Sequence, residues 1–360
     1  QSAGGNAAGY PDNEYLAAGA TITGDRAEIF ASADIVLQVQ SFGSNNENSA
    51  DDLAMIRQGQ LIIGMMDPLA SPQAALDVAG KGATAIALEL VPRISRAQSM
   101  DVLSSMATLA GYKAVLMGAS ASPRIFPLLM TAAGTLQPAR VLIMGVGVAG
   151  LQACATAKRL GAVVEAYDVR PAAREQILSV GAKPVELDLD TGESEGAGGY
   201  AKAQGEDFLQ RQRELMTAVV AEQDIIITTA AIPGAKSPIL VTEDMVVAMK
   251  PGSVIVDLAA ERGGNCDLTE QGQTIVAHGV TIIGPENVPS DLPYHASQMY
   301  GKNMETLLAL ILSDNGELEL NFDDEIVAGT VVAHHGEIPH GHMRKLLDLP
   351  ELNTTKSEKD

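Results

Sequence analysis

The sequence predicts an α/β protein of two domains, each a parallel sheet with helical crossovers, the two separated by a cleft. Three observations predict it. Short apolar runs alternate with helix-length segments along most of the chain, the pattern of buried parallel strands joined by helices. The length of 360 residues exceeds what one core usually holds. The alternation also starts afresh at Arg140, where a second strand–helix series opens on a glycine-rich turn.

In the first series, DIVLQV (34–39), QLIIGMM (60–66) and TAIALELV (84–91) read as strands. SPQAALDVAG (71–80) reads as the helix between two of them, with Ser71 or Pro72 near its start. In the second series, RVLIMG is a strand, VAGLQACATAKRLG a helix and VVEAYD a strand. PAAREQILSVG follows as a helix with Pro in its first turn and Gly at its end. KPVELD is a short strand candidate, DFLQRQRELMTAVVAEQ an amphipathic helix, and DIIITT, SVIVDLA and VTIIG are three more strands. Six strands with helical crossovers make a doubly wound sheet.

Near the end, SQMYGKNMETLLALILS is a helix and ELELNFDDEIVAGTVVA a short β pattern. This region is expected to rejoin the first domain, because the second is already complete. The expected division is 1–105 plus 290–338, then 106–289, with 339–360 a polar tail or linker. The opening QSAGGNAAGYPDNE reads as a loop, and Gln1 in place of Met reads as a processed, cut or incomplete front.

The net charge of −21 argues against nucleic acid or anionic lipid as a direct partner and otherwise reads as solubility. No apolar run reaches the roughly 18 residues that span a bilayer, and no signal peptide is evident, so direct membrane insertion is not expected. Cys154 and Cys266 give no disulfide framework and fit a reducing compartment. No repeat of solenoid period is present.

The chemistry begins at Gly145-Val-Gly147-Val-Ala-Gly150, which follows a predicted strand and opens a predicted helix. Gly145 makes the tight turn, Gly147 lets backbone approach a pyrophosphate, and Gly150 allows close helix packing. The helix N-terminus offers free N–H groups to the phosphates. Asp168 ends the next strand, 18 residues after Gly150, where a carboxylate accepts from adenosine ribose hydroxyls and repels a 2′-phosphate. Strand, helix, second strand and acid together predict a Rossmann dinucleotide fold that favours NAD(H) over NADP(H). Val148, Val169, Arg170, Thr229 and Ala230 also belong to the expected cofactor-binding set, with Tyr200 and Asn287 taken up below.

A second polar cluster, RISRAQSMD (93–101), follows the apolar run TAIALELV. Ser95 and Gln98 have the spacing of a capping box, which predicts a helix starting after Ser95 and running through VLSSMATLAGYKAV. Asp101, Ser104 and Ser105 then share a face with Gln98. Arg93 lies just before the helix, where a parallel strand ends and ligands bind. Two readings stand: a capped helix with an Arg93–Asp101 ion pair, or a polar face that grips a nicotinamide carboxamide and its ribose at the cleft.

RISRAQSMDVLSS, MTAAGTLQPARVLIMGVGVAGLQACATAKRLGA, GGYAKAQGE, TTAAIPGAKSP, MKPGSVIVDLAAERGGNCDLT and ENVPS together resemble the soluble NAD(H)-binding portion of the alpha subunit of proton-translocating nicotinamide nucleotide transhydrogenases. The resemblance runs from about residue 15 to about 338. It implies two Rossmann-like domains and direct hydride transfer from NADH to NADP+ held by the beta subunit. Membrane helices in other segments couple the transfer to proton movement. It also implies a homodimer on the cytoplasmic face of a bacterial inner membrane, or the mitochondrial matrix side, attached through partner subunits. Arg93, Gln98, Asp101 and Ser104 match the family's nicotinamide-end contacts, with Gln98 reaching toward the partner-held nucleotide. Tyr200 matches the tyrosine of a loop that closes over NAD, and the composition of 191–205 reads as flexible. Gln204 stands where that loop is expected to carry methionine. The family's first strand, helix and second strand would precede Gln1. Hydride passing straight between two nicotinamides needs proximity and exclusion of water, not a protein acid or base.

Two rivals remain. Alanine dehydrogenases resemble the same motifs but use a lysine and a histidine. Gln38 and Met66 stand at those positions here, and neither does acid–base work near neutrality. A non-catalytic NAD-sensing subunit would use the same nucleotide site but needs only the adenosine half. Other residues read blandly. The histidines of HHGEIPHGH (334–342) read as an adventitious metal site at most, so no metal is expected. Cys154 is expected in the core, and Cys266 is a loop thiol that could react but has no evident base. Asn287 in ENVPS either helps place the nicotinamide or serves a turn.

Overall fold

The computed structural model describes residues 1–45, 47–187 and 205–351. They divide into two compact units, Gln1–Leu103 with Pro293–Asp360, and Ser104–Leu292.

The first unit opens on helices α1 (Asp12–Ala17) and α2 (Arg26–Ser32), so the front is not simply a loop. Asp12 accepts from the Ser2 hydroxyl and the Ala3 N–H, and Asp25 caps α2 through the Ala27 N–H. Then come β1 (Ile35–Gln40), α3 (Ser49–Met55), β2 (Leu61–Met65), α4 (Pro72–Gly80) and β3 (Thr84–Ala87). The three strands pair in parallel. β3 is half the length of the run that predicts it. After Ala87 the chain turns into a 3-10 segment, Leu88–Leu90, whose Glu89 carboxyl accepts the Asp67 N–H at 2.8 Å.

Helix α5 (Val102–Ala121) carries the chain into the second unit. Contrary to the expectation from sequence, it is long and apolar enough to cross a membrane by length and composition. Its glycines explain the composition differently. A Cβ at Gly111 would lie 2.1 Å from the Ala149 carbonyl oxygen, and one at Gly118 would lie 3.1 Å from Ile225. Those positions are small because neighbouring protein lies against them. A hairpin not expected from sequence follows, β4 (Leu129–Thr131) with β5 (Gly134–Leu136).

Next come β6 (Arg140–Met144), α6 (Val148–Arg159), β7 (Val163–Tyr167), α7 (Ala173–Ser179) and the two-residue β8 (Lys183–Pro184). Pro171 lies just ahead of α7 rather than in its first turn. The series continues with α8 (Glu206–Ala221), β9 (Ile225–Thr228), α9 (Glu243–Ala248), β10 (Val254–Asp257), β11 (Gln273–Ala277) and β12 (Val280–Gly284). The sheet order is β11-β12-β10-β9-β6-β7-β8. Its six parallel strands have the order of a doubly wound dinucleotide fold, with the reversal between β6 and β9. The last crossover differs from expectation. It runs through the antiparallel β11–β12 hairpin, turned at His278 and Gly279, both with positive φ.

Strand alternation divides the second core. Val141, Ile143, Ile225, Ile227, Val254 and Val256 face one side of the sheet, and Leu142, Met144, Ile226 and Ile255 the other. Both faces are covered, which is why these strands read as unbroken apolar runs.

The chain then returns to the first unit through α10 (Pro293–Ile311), α11 (Glu325–Thr330), β13 (Val331–Ala333) and α12 (Gly341–Leu346). β13 adds to β3 in antiparallel sense. The expected β pattern is strand only at its end, and Glu325–Thr330 is helix, because Asp324 caps α11 by accepting the Ile326 N–H. The expected polar tail also needs correcting over 341–346. Met343 is fully buried in the first core, and Arg344 donates to the Ile338 and Pro350 carbonyls.

Candidate functional site

The ends of β6, β7 and β9 bring the glycine-rich turn, the acid and the Thr229 loop together. Gly145 has φ +91°, which L side chains rarely adopt, and a Cβ there would lie 2.8 Å from the Ala230 nitrogen. A Cβ at Gly150 would lie 2.0 Å from the Gly145 carbonyl oxygen, so the turn and the helix touch backbone to backbone. Gly147 faces open space. It is also the N-cap of α6 and supplies no side-chain cap, which leaves first-turn N–H groups for an outside acceptor. Positive backbone dipoles, open room and the absence of a capping side chain fit a pyrophosphate.

Asp168 follows β7 but does not stand with free oxygens. Oδ2 accepts from the Val146 N–H at 2.7 Å and from Arg170 Nη2 at 2.9 Å. Oδ1 accepts from the Arg170 N–H and Nε, both at 2.9 Å. Arg170 also donates to the Val146 carbonyl. The acid therefore fastens the glycine turn and pairs with an arginine. Thr229 Oγ1 donates to the Gly145 carbonyl at 2.8 Å, and Ala230 pairs with the Asn265 side-chain amide. Val148 is the first residue of α6, and Val169 packs against the apolar cluster under the sheet. Asn287 follows β12 in the left-handed region, φ +44°, and its N–H donates to Glu261. It occupies a turn and makes no side-chain cap.

RISRAQSMD folds otherwise than expected. Ser95–Met100 is a 3-10 segment and α5 begins only at Val102, so there is no continuous helix. Ile94, not Ser95, is the N-cap and no capping side chain is present, so the capping box is not made. At three residues per turn, Ser95, Gln98 and Asp101 still align along one edge. Arg93 and Asp101 pair at 3.9 Å, and Gln98 is exposed. Ala97 and Met100 are buried as anchors. Sequence reasoning missed two groups that hold the segment. Arg96 makes a two-point contact with Asp324 at 2.8 and 2.7 Å, and Asn303 Nδ2 donates to the Ser99 carbonyl. No short-range signal marks pairs more than 200 positions apart. Ser104 lies in α5, in the second unit.

Gln38 donates to Asp52 and accepts from Ser41, and Met66 is buried, so neither position carries an acid–base group. Cys154 and Cys266 are both buried, and burial pushes their thiols up to about 12 and about 11. Cys266 is therefore not the reactive loop thiol considered from sequence. Among the described residues no group of three or more His, Cys, Asp or Glu is placed to hold a metal. His334 instead meets Thr84, and His340 caps α12. Tyr200 and Gln204 lie outside the described residues.

Known proteins share both halves of this architecture. The family model "Alanine dehydrogenase/PNT, N-terminal domain" matches residues 1–110 and "Alanine dehydrogenase/PNT, C-terminal domain" matches residues 114–341. The first of the pieces that make up the NAD(P) transhydrogenase alpha subunit of Rhodospirillum rubrum is 48% identical over 338 residues, covering 93% of this chain and 88% of that one. A crystal structure of transhydrogenase from Sinorhizobium meliloti superposes with a TM-score of 0.83 at 44% identity, covering 94% of this chain and 90% of that chain. An L-alanine dehydrogenase superposes with a TM-score of 0.75 at 23% identity over 95% of this chain and 88% of that chain, a likeness of fold.

Proposed function

The chain belongs to the alanine dehydrogenase/PNT family, among relatives of the NAD(P) transhydrogenase alpha subunits, and from that premise we propose that it is the NAD(H)-binding component of a proton-translocating transhydrogenase. The observation that carries the reading is the meeting of the uncapped α6 N-terminus, the open Gly147 and the Asp168–Arg170 pair at the ends of β6 and β7.

Bound NADH would supply a hydride with its electron pair, and NADP+ held by an NADP-binding beta subunit would accept it. This chain's residues bind, orient and exclude water. First-turn N–H groups of α6 hold the pyrophosphate, and Asp168 takes the adenosine ribose hydroxyls once Arg170 yields. Arg93, Gln98, Asp101 and Ser104 hold the nicotinamide end, with Gln98 turned toward the partner's nucleotide. No general acid or base is required, in keeping with Gln38 and Met66. Membrane-spanning segments of the partner components couple the transfer to proton movement. They also hold this chain at the cytoplasmic face of a bacterial inner membrane or the matrix face of a mitochondrial one. A homodimer belongs to the reading. The β4–β5 hairpin supports it, with Leu129, Met130 and Leu136 exposed where a second copy would cover them.

The test is a pair of titrations, NADH and NADPH, followed by nicotinamide fluorescence; the chain has no Trp to interfere. NADH should bind at least about tenfold more tightly. In Asp168→Ala the two should approach within about threefold, because the repelling carboxylate is gone and Arg170 is released to meet a 2′-phosphate. A wild-type protein that ignores NADH would overturn the functional reading. Unchanged discrimination in the variant would remove Asp168 and Arg170 as the selector.

A further inference from the structure

We propose that Asp257 and Asn265, remote from the glycine turn in sequence, are positioning residues that set the pyrophosphate end of the site before nucleotide arrives. The proposal rests on the NAD(H) reading of that site.

Asp257 ends β10 and is fully buried, yet its two oxygens take five donors. Oδ1 accepts from Thr228 Oγ1 at 2.8 Å and the Ala259 N–H at 3.0 Å. Oδ2 accepts from the Asn265 N–H at 2.7 Å, the Cys266 N–H at 3.0 Å and Thr269 Oγ1 at 2.6 Å. A buried carboxylate is tolerated where its oxygens are satisfied in this way. The consequence is a fixed loop after β10. Gly264, φ +78°, belongs to it, since a Cβ there would lie 2.9 Å from Asp257 Oδ2.

The loop presents the Asn265 side chain, itself fully buried, to the end of β9. Asn265 Oδ1 accepts the Ala230 N–H at 2.9 Å, and Nδ2 donates to the Ala230 carbonyl at 2.9 Å and the Pro238 carbonyl at 2.8 Å. One side-chain amide thus satisfies both backbone groups of Ala230. Beside it, Thr229 donates its N–H to the Met144 carbonyl and its hydroxyl to the Gly145 carbonyl, both at 2.8 Å. The line of contacts runs from Asp257 through Asn265 and the Thr229–Ala230 backbone to the Gly145 turn. Ala230 lies so close to that turn that only glycine fits at 145. A shift of the β9 loop would therefore move the turn that aims N–H groups at the phosphates. Binding groups held by rigid support lose less on engaging a ligand than groups that must first be ordered.

Asp168 meets the turn from the end of β7 and the clamp meets it from β9, so a loss concentrated at the phosphate end is a readout that mere destabilisation would not produce. In Asn265→Ala, NADH and ADP-ribose should bind about tenfold more weakly, about 1.4 kcal/mol, while adenosine followed by NMR stays within about twofold. Val220→Ala, a truncation in the core of the same unit, should lower the melting temperature comparably and leave NADH affinity within about twofold. Equal weakening of adenosine and ADP-ribose, or unchanged NADH affinity, would overturn the proposal. Where Asn265→Ala does not fold, amide hydrogen exchange on the wild-type protein decides. Ala230 N–H should be protected without nucleotide and gain little with NADH. Protection that arises only with NADH would mean the clamp is not preset. Should wild-type protein bind no NADH at all, the functional reading fails, and the exchange result separately answers whether the clamp is preset.

Discussion

The glycine turn at 145–150 and the RISRAQSMD segment are both polar centres, and they are built oppositely. The turn is closed by backbone, with no room for a Cβ at Gly145 or Gly150, and its acid takes four donors. The segment is a short 3-10 turn with Arg93 and Gln98 exposed, held from outside by Asp324 and Asn303. One is rigid because its own sequence dictates the geometry. The other owes its geometry to distant residues and keeps Gln98 at the surface. The contrast suits the roles proposed for them: a pyrophosphate needs the same cradle in every complex, whereas a side chain proposed to meet a partner's nucleotide needs room to move.

The largest expected effect follows from the closed site. Gly150→Val places branched carbons where the Gly145 carbonyl already stands, 2.0 Å from a Cβ. Neither backbone can yield without moving α6 from β6. NADH binding should fall by at least about a hundredfold, and the protein should lose several kcal/mol of stability, about 3 or more. Titration and thermal melting read both. A variant that binds NADH normally would break the contrast, since the turn would then be as adaptable as the segment.

What the sequence disclosed follows the same division. Gly145, Gly147, Gly150 and Asp168 declare their geometry locally, because the turn, the uncapped helix and the acid lie within one βαβ unit. Their strands were readable for the same reason: sheet strands covered on both faces are unbroken apolar runs. RISRAQSMD failed as a helix prediction, although Ser95 and Gln98 have the right spacing. The chain there is fixed by the Arg96–Asp324 contact and Asn303, which no window of sequence connects. The Asp257–Asn265 clamp escaped for a milder reason. One acid ending a buried strand looks like any other until its five donors are seen. The tail misled because Met343 and Arg344 sit among polar neighbours, and only the fold reveals the space they fill.

Two carboxyls, Asp257 of the second unit and Glu89 of the first, differ in the same sense. Asp257 has five donors, whereas Glu89 Oε2 is buried with no hydrogen-bond partner among the described residues, and only Oε1 meets the Asp67 N–H. Burial raises the Glu89 carboxyl to about 7, with backbone donors opposing the rise. Its folded value lies above the unfolded one near 4.5, so the folded state keeps a proton that the unfolded state loses. The stability from Glu89 is then full below about 4.5 and lost as pH rises through about 7, at most about 3 kcal/mol. His334 and His340 work the other way. Burial lowers both, so acid below about 6.5 favours the unfolded state, which protonates more readily. Wild-type stability should therefore fall off on both sides of mildly acidic pH. Glu89→Gln should remove the loss on the alkaline side and keep the acid one, measured by denaturant melts between about pH 4.5 and 8. Parallel curves for the two proteins would show that Glu89 is not buried as a neutral acid.

The smallest effect sharpens the comparison most, because it separates binding from transfer. Arg93 and Asp101 pair at 3.9 Å, a long contact for an ion pair, and Gln98 shares the Asp101 edge of the 3-10 turn. In the proposed reading these groups orient the nicotinamide end while the glycine turn supplies the main hold on NADH, so their loss should appear in rate more than in affinity. Gln98→Ala and Asp101→Asn should leave NADH affinity within about threefold. In the complex with the NADP-binding partner, hydride transfer should slow by about tenfold, since misplacing reacting groups by an ångström costs rate steeply. Stopped-flow absorbance of the two nicotinamides, with saturating nucleotide, isolates that step. Equal losses of affinity and rate would make the segment an ordinary binding loop, no different in kind from the glycine turn. An unchanged rate would return it to the bland reading, a short turn closed by an ion pair.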